Sequence, residues 1–304
     1  MEKTIYALGF FDGVHLGHQA LLHTCRELSR EEGAKAGVLT FAGSLIKEGQ
    51  GLITTLSQRE LLFRQWGMEE ILVLPFDEDM KKMPWQAFYR LLKETYNAQG
   101  FVCGEDFRFG AGGEGNAACL QEACKQDGLP CRVVQKVRMD GEEISSHRIR
   151  ALLEKGEVEK ANVRLGHPYL FSGTVIPGKQ LGRTIGIPTA NLRYPQESIT
   201  MPYGVYACRT ELDGKAYAAV TNLGVRPTVS GEGVTVEPWI LDFSGDLYGR
   251  ELTLEVLSFL RPEQKFPDLA ALQAQIGKDA IRARQIFENH GAWQGKAEEK
   301  LRKS

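Results

Sequence analysis

The sequence predicts two domains: an α/β domain with a parallel, doubly wound sheet, followed by a smaller antiparallel β-domain. In the first half, apolar strand-like runs alternate with segments of helical spacing, which favours a parallel sheet covered by helices. Beyond Leu165 the pattern changes to short strands separated by turns, which indicates antiparallel pairing. With 304 residues, the chain is long enough for two separate hydrophobic cores.

Composition and charge narrow the class of protein. Hydrophobic residues make up 42% of the chain and charged residues 25%, as in ordinary globular proteins. The net charge of −2 gives no general attraction to nucleic acid or acidic membranes, and no apolar run approaches the length of a membrane span. The first residues lead into a strand without a signal-peptide layout. We expect a cytoplasmic protein, monomeric or weakly self-associating, with no nucleic-acid or membrane partner.

The six cysteines are scattered, and no two of them form a CxxC pair. This spacing disfavours a zinc site or a redox centre. We expect free thiols, as in proteins of a reducing compartment.

The first candidate site follows the first strand, which is predicted at residues 5–11. Asp12-Gly13 breaks this strand, and His15-Leu16-Gly17-His18 opens a helical pattern. His15 and His18 share one face of the first turn, and Gly17 leaves room for close approach to the backbone. A helix N-terminus suits phosphate, to which two imidazoles can add hydrogen bonds or positive charge. The alternative is that both histidines are ordinary surface residues at a helix start.

Further strands of the first half are predicted at residues 36–41, 70–76, 100–104 and 131–137. A capping box with Ser57 at the N-cap and Glu60 at N3 predicts a helix that ends at Trp66. Residues 104–115 are rich in glycine, so this backbone can bend around a ligand or form only a mobile loop. Because this segment and the histidine turn both follow strands, we expect them at the same edge of the sheet.

The segment Ile144-Ser145-Ser146-His147-Arg148-Ile149-Arg150 closes the first half. Ser145 or Ser146 is predicted to cap a helix over residues 148–155. The two hydroxyls and Arg150 at a helix start can also hold phosphate, and a plain N-cap is an equally good interpretation.

The second half opens with a strand predicted at residues 169–176, followed by GKQLGRTIGIPTAN from Gly178 to Asn191. The loop is glycine-rich and basic but is not a Walker A loop, since no Ser or Thr follows Lys179. The Thr189 hydroxyl and the Asn191 amide lie on the same side of an extended segment, and such oxygen ligands suit Mg²⁺.

A hairpin is predicted at residues 203–221 around the turn Asp213-Gly214, followed by a rigid polar loop over 222–228. The next strand, over 235–243, places Glu237 on one face with Trp239 and Leu241. An unpaired carboxylate is costly to bury, so Glu237 is either functional or an edge residue in water. A helix is predicted over 268–287, with a charged tail from residue 291.

Six motifs along the chain resemble, in order, those of the bacterial bifunctional riboflavin kinase/FMN adenylyltransferase (FAD synthetase) family. They are GFFDGVHLGH, CGEDFRFG, ISSHRIR, GKQLGRTIGIPTAN, NLGVRPT, and VEPWILDF with DLYG. The resemblance implies an α/β Rossmann-like nucleotidyltransferase domain over 1–156 and a small antiparallel Greek-key β-barrel kinase domain with a C-terminal helix over 157–290. Residues 291–304 would form a polar tail.

The resemblance also implies two reactions and the residues that serve them. ATP would phosphorylate riboflavin to FMN with Mg²⁺, and a second ATP would adenylylate FMN to FAD and pyrophosphate. Glu237 would be the general base of the kinase, and His15 and His18 the catalytic residues of the transferase. The family motifs assign ATP or phosphate binding to Gly9, Phe10, Asp12, Gly17, Ser145, Ser146, Arg150, Gly178, Lys179, Gly182, Thr189 and Asn191, flavin binding to Asp106, Phe107, Phe109 and Arg226, and Mg²⁺ to Thr189 and Asn191.

One departure from the family pattern bears on the first domain. The chain has Ala42-Gly43-Ser44 where the family usually has Pro-His-Pro. One alternative is therefore a riboflavin kinase alone, with a degenerate adenylyltransferase domain. A second is a non-catalytic flavin- or nucleotide-binding sensor, against which Glu237 and the Pro-Thr-Ala-Asn segment speak, because binding alone needs no base.

Overall fold

The structure is a computed structural model that describes residues 3–43, 50–178, 186–228 and 231–303. Side chains are described except at 226–233 and beyond 290. Ser44, Lys179 and Gly182 lie outside the described residues. The chain divides into two compact units, Met1–Arg148 and Ile149–Ser304, whereas the sequence pattern places the division between residues 156 and 157.

The first unit contains one main sheet and its covering helices. Its strands are β1 (Thr4–Leu8), β2 (Lys35–Ala42), β3 (Glu70–Pro75), β4 (Ala98–Gly104), β5 (Arg108–Phe109), β6 (Gly115–Asn116), β7 (Cys131–Val134), β8 (Arg138–Met139) and β9 (Glu142–Glu143). Its helices are α1 (Leu16–Glu31), α2 (Leu56–Gln65), α3 (Glu78–Lys82), α4 (Trp85–Glu94), α5 (Ala117–Asp127) and α6 (Ser146–Glu154), which runs on into the second unit. The five-stranded parallel sheet has the order β3-β2-β1-β4-β7, so the predicted fold class is confirmed for this half.

The central strand β1 determines where a ligand can bind. Every residue of β1 is buried, and the strand pairs in parallel with β2 on one side and β4 on the other. The connection from β1 leads to β2 on one side, whereas the connection from β4 leads to β7 on the other side. Because the two connections run in opposite directions, they leave a crevice at the carboxyl ends of β1 and β4. The histidine turn follows β1 and the glycine-rich segment follows β4, as predicted.

The predicted start of α2 is wrong by two residues. Thr55, not Ser57, is the N-cap: its Oγ1 accepts the Gln58 N–H at 3.4 Å, and Gln58 Oε1 accepts the Thr55 N–H at 2.8 Å. Thr-x-x-Gln and Ser-x-x-Glu both satisfy the capping-box pattern, so the pattern alone could not choose between them. Arg59, which lies in this helix, is buried.

The second unit is a closed antiparallel barrel followed by a long helix. After helix α7 (Val158–Leu165), the strands are β10 (Tyr169–Ile176), β11 (Asn191–Arg193), β12 (Gly204–Leu212), β13 (Lys215–Thr228), β14 (Gly231–Ile240) and β15 (Glu251–Pro262), and helix α8 spans Leu269–Lys303. The barrel closes in the order β10-β11-β14-β13-β12-β15. The fold class predicted for the second half is thereby confirmed.

Three local predictions in this unit are wrong. Residues 222–228 are not a loop but the end of β13, paired with β14 from Asn222 opposite Glu237 to Thr228 opposite Gly231. The Gly and Pro of this stretch suggested a loop, but cross-strand pairing overrides that local preference. β14 ends at Ile240, so Leu241 lies beyond it, and the backbone of α8 continues past residue 287, where the helix was predicted to end.

A buried ion pair joins helix α8 to the barrel. Arg261 of β15 places Nη2 at 2.8 Å and Nε at 2.9 Å from Asp279 Oδ2, and Gln275 Nε2 donates to Asp279 Oδ1 at 2.9 Å. Asp279 is 4% exposed. The small side chains Ala280 and Ala283 pack beside it against the barrel. Helix α8 therefore forms a fixed wall on one side of the barrel.

The cysteines of the chain are not paired with one another. All six cysteines are free thiols, and burial raises the pKa of Cys25 and Cys103 to about 12. Thiols with such pKa values are not reactive thiolates at neutral pH, which fits a packing role.

Among the described residues, no helix combines the length and the apolar character needed to cross a membrane.

We predict that Asp279→Ala lowers the free energy of unfolding of the second unit by about 3 kcal/mol, because it leaves the Arg261 guanidinium buried without its partner. Urea unfolding followed by Trp239 fluorescence, in a background in which the other three tryptophans are replaced by phenylalanine, measures this change. The control is Asp213→Asn, which removes the charge of an exposed pair with Arg250 while tolerating the φ of 51° at this turn, and it should change stability much less. Equal effects of the two variants would contradict the anchoring role.

Candidate active sites

The first unit contains two adjoining cavities with contrasting linings. A polar cavity of about 300 Å³ lies at the carboxyl ends of β1, β4 and β7 and contains both histidines. An aromatic cavity of about 450 Å³ is lined by Phe41, Phe76, Phe88 and Phe109. Phe107 lines both cavities, so a ligand with an aromatic end and a phosphate end can occupy the pair.

The turn between β1 and α1 is held in an unusual backbone conformation. Phe11 and Val14 have positive φ angles of 60° and 40°, and Gly13 has a φ of 84°. Left-handed conformations at Phe and Val are costly and persist only where surrounding contacts fix them. Here they direct the chain so that His15 becomes the N-cap of α1. The first N–H groups of the helix are thereby placed at the edge of the sheet.

Asp12 supplies the contacts that fix this turn. Its Oδ1 accepts the N–H groups of Ile53 and Thr54 at 2.9 and 3.0 Å, and the Thr54 hydroxyl lies at 3.3 Å. The Gly13 N–H donates to Thr54 Oγ1 at 2.7 Å, and the Ser146 hydroxyl donates to the Asp12 carbonyl at 2.8 Å. Asp12, expected at the phosphate, is buried, and these contacts give it a positioning role.

His15 and His18 lie ring on ring at the start of α1. The ring centroids are 3.6 Å apart with an interplanar angle of 14°. His15 Nδ1 accepts the His18 N–H at 3.3 Å, which leaves the proton of a neutral His15 ring on Nε2. A Cβ at Gly17 would come within 3.1 Å of the His15 ring. Only glycine therefore fits between the histidines without displacing this ring.

The charge state of His18 follows from its surroundings. Burial, and then the neighbouring His15 and Arg59, lower the pKa of His18 well below its ordinary value. The ring is therefore neutral at physiological pH. Of the two roles predicted for His18, hydrogen bonding and positive charge, this environment favours hydrogen bonding.

Arg59 is a residue of this site that sequence analysis missed. It is 1% exposed, and its Nη1 donates to the Phe10 carbonyl at 2.7 Å and to Thr40 Oγ1 at 2.9 Å. Its guanidinium also lies 4.4 Å from the centre of the Phe10 ring. Arg59 thereby ties the end of β1 to the end of β2. Its inward direction carried no local signal, because its bonding partners, Phe10 and Thr40, are distant in sequence.

The aromatic cavity is built around the short strand β5. Phe107 and Phe109 are stacked with ring centroids 5.3 Å apart, and Phe41 stacks on Phe88 at 6.4 Å. Gly110 has a φ of 78°, and a Cβ there would lie 2.6 Å from Trp85 Cβ. Glycine is required at this bend, which brings β5 over the cavity.

Three of the remaining predicted residues of the first site lie at the polar cavity, and a fourth lies on α6. Gly9, Asp106 and Ser145 line the polar cavity, and Ser145 Oγ also accepts the Arg148 N–H at 3.4 Å as a helix cap. The helix-cap interpretation of Ser145 is confirmed, and its phosphate binding stays a prediction. Arg150 lies one turn into α6 and is buried.

The second unit also contains two adjoining cavities. The larger, about 730 Å³, is lined by barrel residues and by residues of α8 that include Leu272 and Ile276. The smaller, about 280 Å³, lies against the segment from Phe243 to Tyr248. Thr189 lines both cavities. A group bound in one cavity can therefore meet a group bound in the other beside this hydroxyl.

Glu237 lies on the wall of the larger cavity. It is half-buried on β14 and opposite Asn222, which lines the same cavity together with Trp239. The Ala190 N–H donates to the carbonyl of Pro238 at 2.9 Å. This bond places the Pro-Thr-Ala-Asn segment directly alongside the strand that carries the carboxylate. Glu237 and Thr189 are therefore brought to one cavity, as predicted.

The outer part of the predicted phosphate loop is only partly described. A Cβ at Gly178 would overlap the amide of Asn191, so glycine is required where the loop leaves β10. Lys179 and Gly182 lie outside the described residues. The backbone of Arg226 pairs with Gly233 in the barrel, and its side chain is not described. Among the described residues, no cluster of three His, Cys, Asp or Glu side chains could hold a metal ion.

Sequence analysis also missed Asn222 and Lys136, which line a cavity in the second and in the first unit, respectively. Asn222 was visible as a polar residue in a stretch interpreted as a loop, and its strand pairing with Glu237 gives it a place in the site. Lys136 carried no local signal, because only the return of the chain through β8 and β9 brings it to the cavity.

Comparisons with known proteins agree with both halves. The FAD synthetase family model matches residues 1–148, and the riboflavin kinase model matches residues 165–287. The bifunctional riboflavin kinase/FMN adenylyltransferase of Bacillus subtilis (strain 168) is 36% identical over 297 residues, covering 94% of this chain and 93% of that protein. The protein of the same name from Escherichia coli (strain K12) is 34% identical over 293 residues, covering 94% and 93%.

A solved structure matches nearly the whole length of the chain. It is the crystal structure of a protein named macrolide-efflux protein from Streptococcus pneumoniae, with a TM-score of 0.82 and 30% sequence identity. The match covers 93% of this chain and 94% of the other. The two chains therefore share their fold along nearly their full lengths.

We predict that the His18 ring remains neutral at pH 6.5, where a model histidine is half protonated, because its pKa is lowered. Proton NMR of the imidazole Cε1–H across pH 5 to 8 measures this, and His18→Gln identifies the resonance. A midpoint for His18 at or above pH 6.5 would contradict the environment described.

Proposed function

The chain belongs to the family of bifunctional riboflavin kinase/FMN adenylyltransferases, and we propose that each cavity pair carries out one of the two reactions. The chain phosphorylates riboflavin with ATP to FMN, and it adenylylates FMN with a second ATP to FAD and pyrophosphate. In our assignment, the second unit performs the phosphorylation and the first unit performs the adenylyl transfer.

One observation supports the kinase assignment above all: Thr189 lines both cavities of the second unit, beside Glu237. The larger cavity, walled by Trp239 and apolar residues of α8, suits the three-ring system of riboflavin. The smaller cavity suits the nucleotide. The ribityl chain then ends near Thr189, where it meets the terminal phosphate of ATP.

Glu237 is the general base of this reaction in our proposal. Its carboxylate accepts the proton of the terminal ribityl hydroxyl while the hydroxyl oxygen bonds to the γ-phosphorus. The bond from that phosphorus to the bridging oxygen breaks, and ADP leaves. Phosphoryl transfer depends mainly on positioning and charge stabilisation, and the shared wall of the two cavities supplies the positioning.

Kinases and adenylyltransferases that use ATP generally need a divalent metal ion, and we propose Mg²⁺ for this chain. Thr189 and Asn191 offer oxygen ligands for such an ion: Thr189 lines both cavities, and Asn191 lies two residues further along the same segment. Mg²⁺ prefers oxygen ligands and is commonly shared between few protein groups and substrate phosphates. When bound, it would neutralise charge on the phosphates of ATP.

The first unit then carries out adenylyl transfer. An oxygen of the FMN phosphate bonds to the α-phosphorus of ATP, the bond to the bridging oxygen breaks, and pyrophosphate leaves. The nucleophile is already an anion, so no base is required. His15 and His18, with the N–H groups at the start of α1, donate hydrogen bonds to the phosphates, and the cavity around Phe107 holds the flavin ring.

The departure at Ala42-Gly43-Ser44 is compatible with this assignment in the described part of the site. β2 ends at Ala42, and Phe41 lines the aromatic cavity, where it stacks on Phe88. Ser44 lies outside the described residues. We therefore propose that the chain makes FAD as well as FMN.

The decisive experiment incubates the purified chain with riboflavin, ATP and Mg²⁺ and separates the products by chromatography. FAD is the expected final product. FMN without FAD would favour the alternative of a kinase with a degenerate first domain. Riboflavin left unchanged would favour the non-catalytic sensor. Omission of Mg²⁺ with excess EDTA is expected to stop product formation, and re-addition of Mg²⁺ is expected to restore it.

The finer expectations on organisation belong to the same proposal. We place the adenylyltransferase at residues 1–156, the kinase at 157–290 and a polar segment at 291–304. We also propose a monomer or weakly self-associating protein in the cytoplasm, acting on riboflavin, FMN and ATP. Light scattering over a range of protein concentrations tests the assembly state.

We predict that Glu237→Gln lowers the turnover of riboflavin to FMN by about 100-fold or more, because the amide cannot accept the hydroxyl proton. Conversion of added FMN to FAD by the same variant should be unchanged. The matched control is Glu263→Gln, an exposed carboxylate on the rim of the same cavity, which should retain kinase turnover. Kinase turnover that survives in Glu237→Gln would overturn the assignment of the base.

A further inference from the structure

A lysine outside the family motifs faces the polar cavity of the first unit. Lys136 follows β7, and its side chain lines this cavity together with His15 and His18. Its ammonium lies 3.1 Å from Glu143 Oε2 and 3.5 Å from Asp106 Oδ2. The side chain is 37% exposed, so the ammonium is accessible to a ligand in the cavity while it contacts both carboxylates.

The backbone around Lys136 is held on both sides. The Lys136 N–H donates to Glu105 Oε1 at 3.3 Å, and the Glu105 N–H donates to the carbonyl of Val134 at 3.0 Å. The Ile144 N–H donates to the carbonyl of Val137 at 3.0 Å, which brings the hairpin of β8 and β9 back to the cavity. A long side chain that is already ordered loses less conformational entropy when it binds a ligand.

The side chains that line this cavity carry more negative than positive charge. Three carboxylates line it, those of Glu105, Asp106 and Glu143. The lowered pKa of His18 leaves that ring neutral. Among the described residues that line the cavity, Lys136 is the one Lys or Arg side chain. A polyphosphate that enters the cavity therefore meets its nearest fixed positive side-chain charge at Lys136.

We propose that Lys136 binds the phosphate groups of ATP in this cavity and that Asp106 and Glu143 position its ammonium. The inference rests on the proposed assignment of adenylyl transfer to the first unit. Lys136 adds a full charge to the partial charge at the N-terminus of α1 and stabilises the charge that gathers on the departing pyrophosphate. The hydrogen bond to Glu143, and then the charge of Asp106, raise the pKa of Lys136, which keeps it protonated.

The test measures the KM for ATP in the conversion of FMN to FAD, and the KM for pyrophosphate in the reverse reaction from FAD. Lys136→Ala is expected to raise both values about tenfold, because a charge-assisted contact to phosphate is lost. The KM for FMN should change less than twofold. Lys136→Arg keeps the charge and should restore both values to within about threefold of the unmodified chain.

Arg138→Ala is the matched control. Arg138 lies two residues after Lys136, in the hairpin of β8 and β9, and also pairs with Glu143, at 3.3 Å. Its side chain does not line the cavity. Its loss should leave the KM values for ATP and pyrophosphate within twofold. The KM for FMN, which in our assignment depends on the aromatic cavity of the same unit, is the internal control for folding of the first unit and should change less than twofold in every variant. Kinase turnover on riboflavin, measured in the same preparations, should be unchanged in every variant and controls for the second unit.

The outcomes separate this inference from the proposed function. If the unmodified chain makes no FAD from FMN, the adenylyltransferase assignment fails and the role of Lys136 fails with it. If the unmodified chain makes FAD and Lys136→Ala has unchanged KM values for ATP and pyrophosphate, only the role of Lys136 is overturned. If Lys136→Ala also changes the KM for FMN by more than twofold, Lys136→Gln decides in its place by the same two KM values.

Discussion

The buried carboxylate of Asp12 is the contact on which the first unit depends. It holds the segment before α2 against the turn after β1, while the Asp12 carbonyl receives the Ser146 hydroxyl at the start of α6. Three stretches of chain far apart in sequence thus meet at one residue. The cost of the left-handed conformations at Phe11 and Val14 is borne by these contacts. Together with the bond from Gln19 Nε2 to the Val14 carbonyl, they fix the direction in which α1 starts.

The second unit solves the same problem by strand pairing. The Ala190 N–H donates to the carbonyl of Pro238, so the segment that carries Thr189 is fixed against the strand that carries Glu237. The barrel then holds Thr189 and Glu237 at the wall of one cavity without a buried carboxylate like that of Asp12. In both units, one residue lines two cavities: Phe107 in the first and Thr189 in the second.

The sequence predicted the parts of both sites whose function is expressed locally. His15 and His18 follow from a strand, a glycine turn and a helix start, and Thr189 and Glu237 follow from motifs with fixed spacing. The fold class followed from periodicity in the same way. The start of α2 was missed because two overlapping capping patterns compete, and only burial of Gln58 decides between them.

The remaining site residues depend on partners that are distant in sequence. Arg59 resembles a surface residue until its bonds to the carbonyl of Phe10 and to Thr40 are seen. Lys136 acquires its place from Asp106 and from the hairpin that returns to the cavity. Local pattern carries no signal for such contacts, because tertiary pairing creates them. For the same reason, residues 222–228 were taken for a loop.

The placement of α8 has a consequence for the order in which the chain matures. The wall of the larger cavity includes Leu272, Ile276 and Asp279, which follow every strand of the barrel in the chain. During synthesis, domains fold as units from the N-terminus. The five strands of the first sheet can therefore assemble while the barrel is still emerging. The enclosure around Glu237 closes last, so a nascent chain acquires its two activities in the reverse of the order in which the flavin uses them.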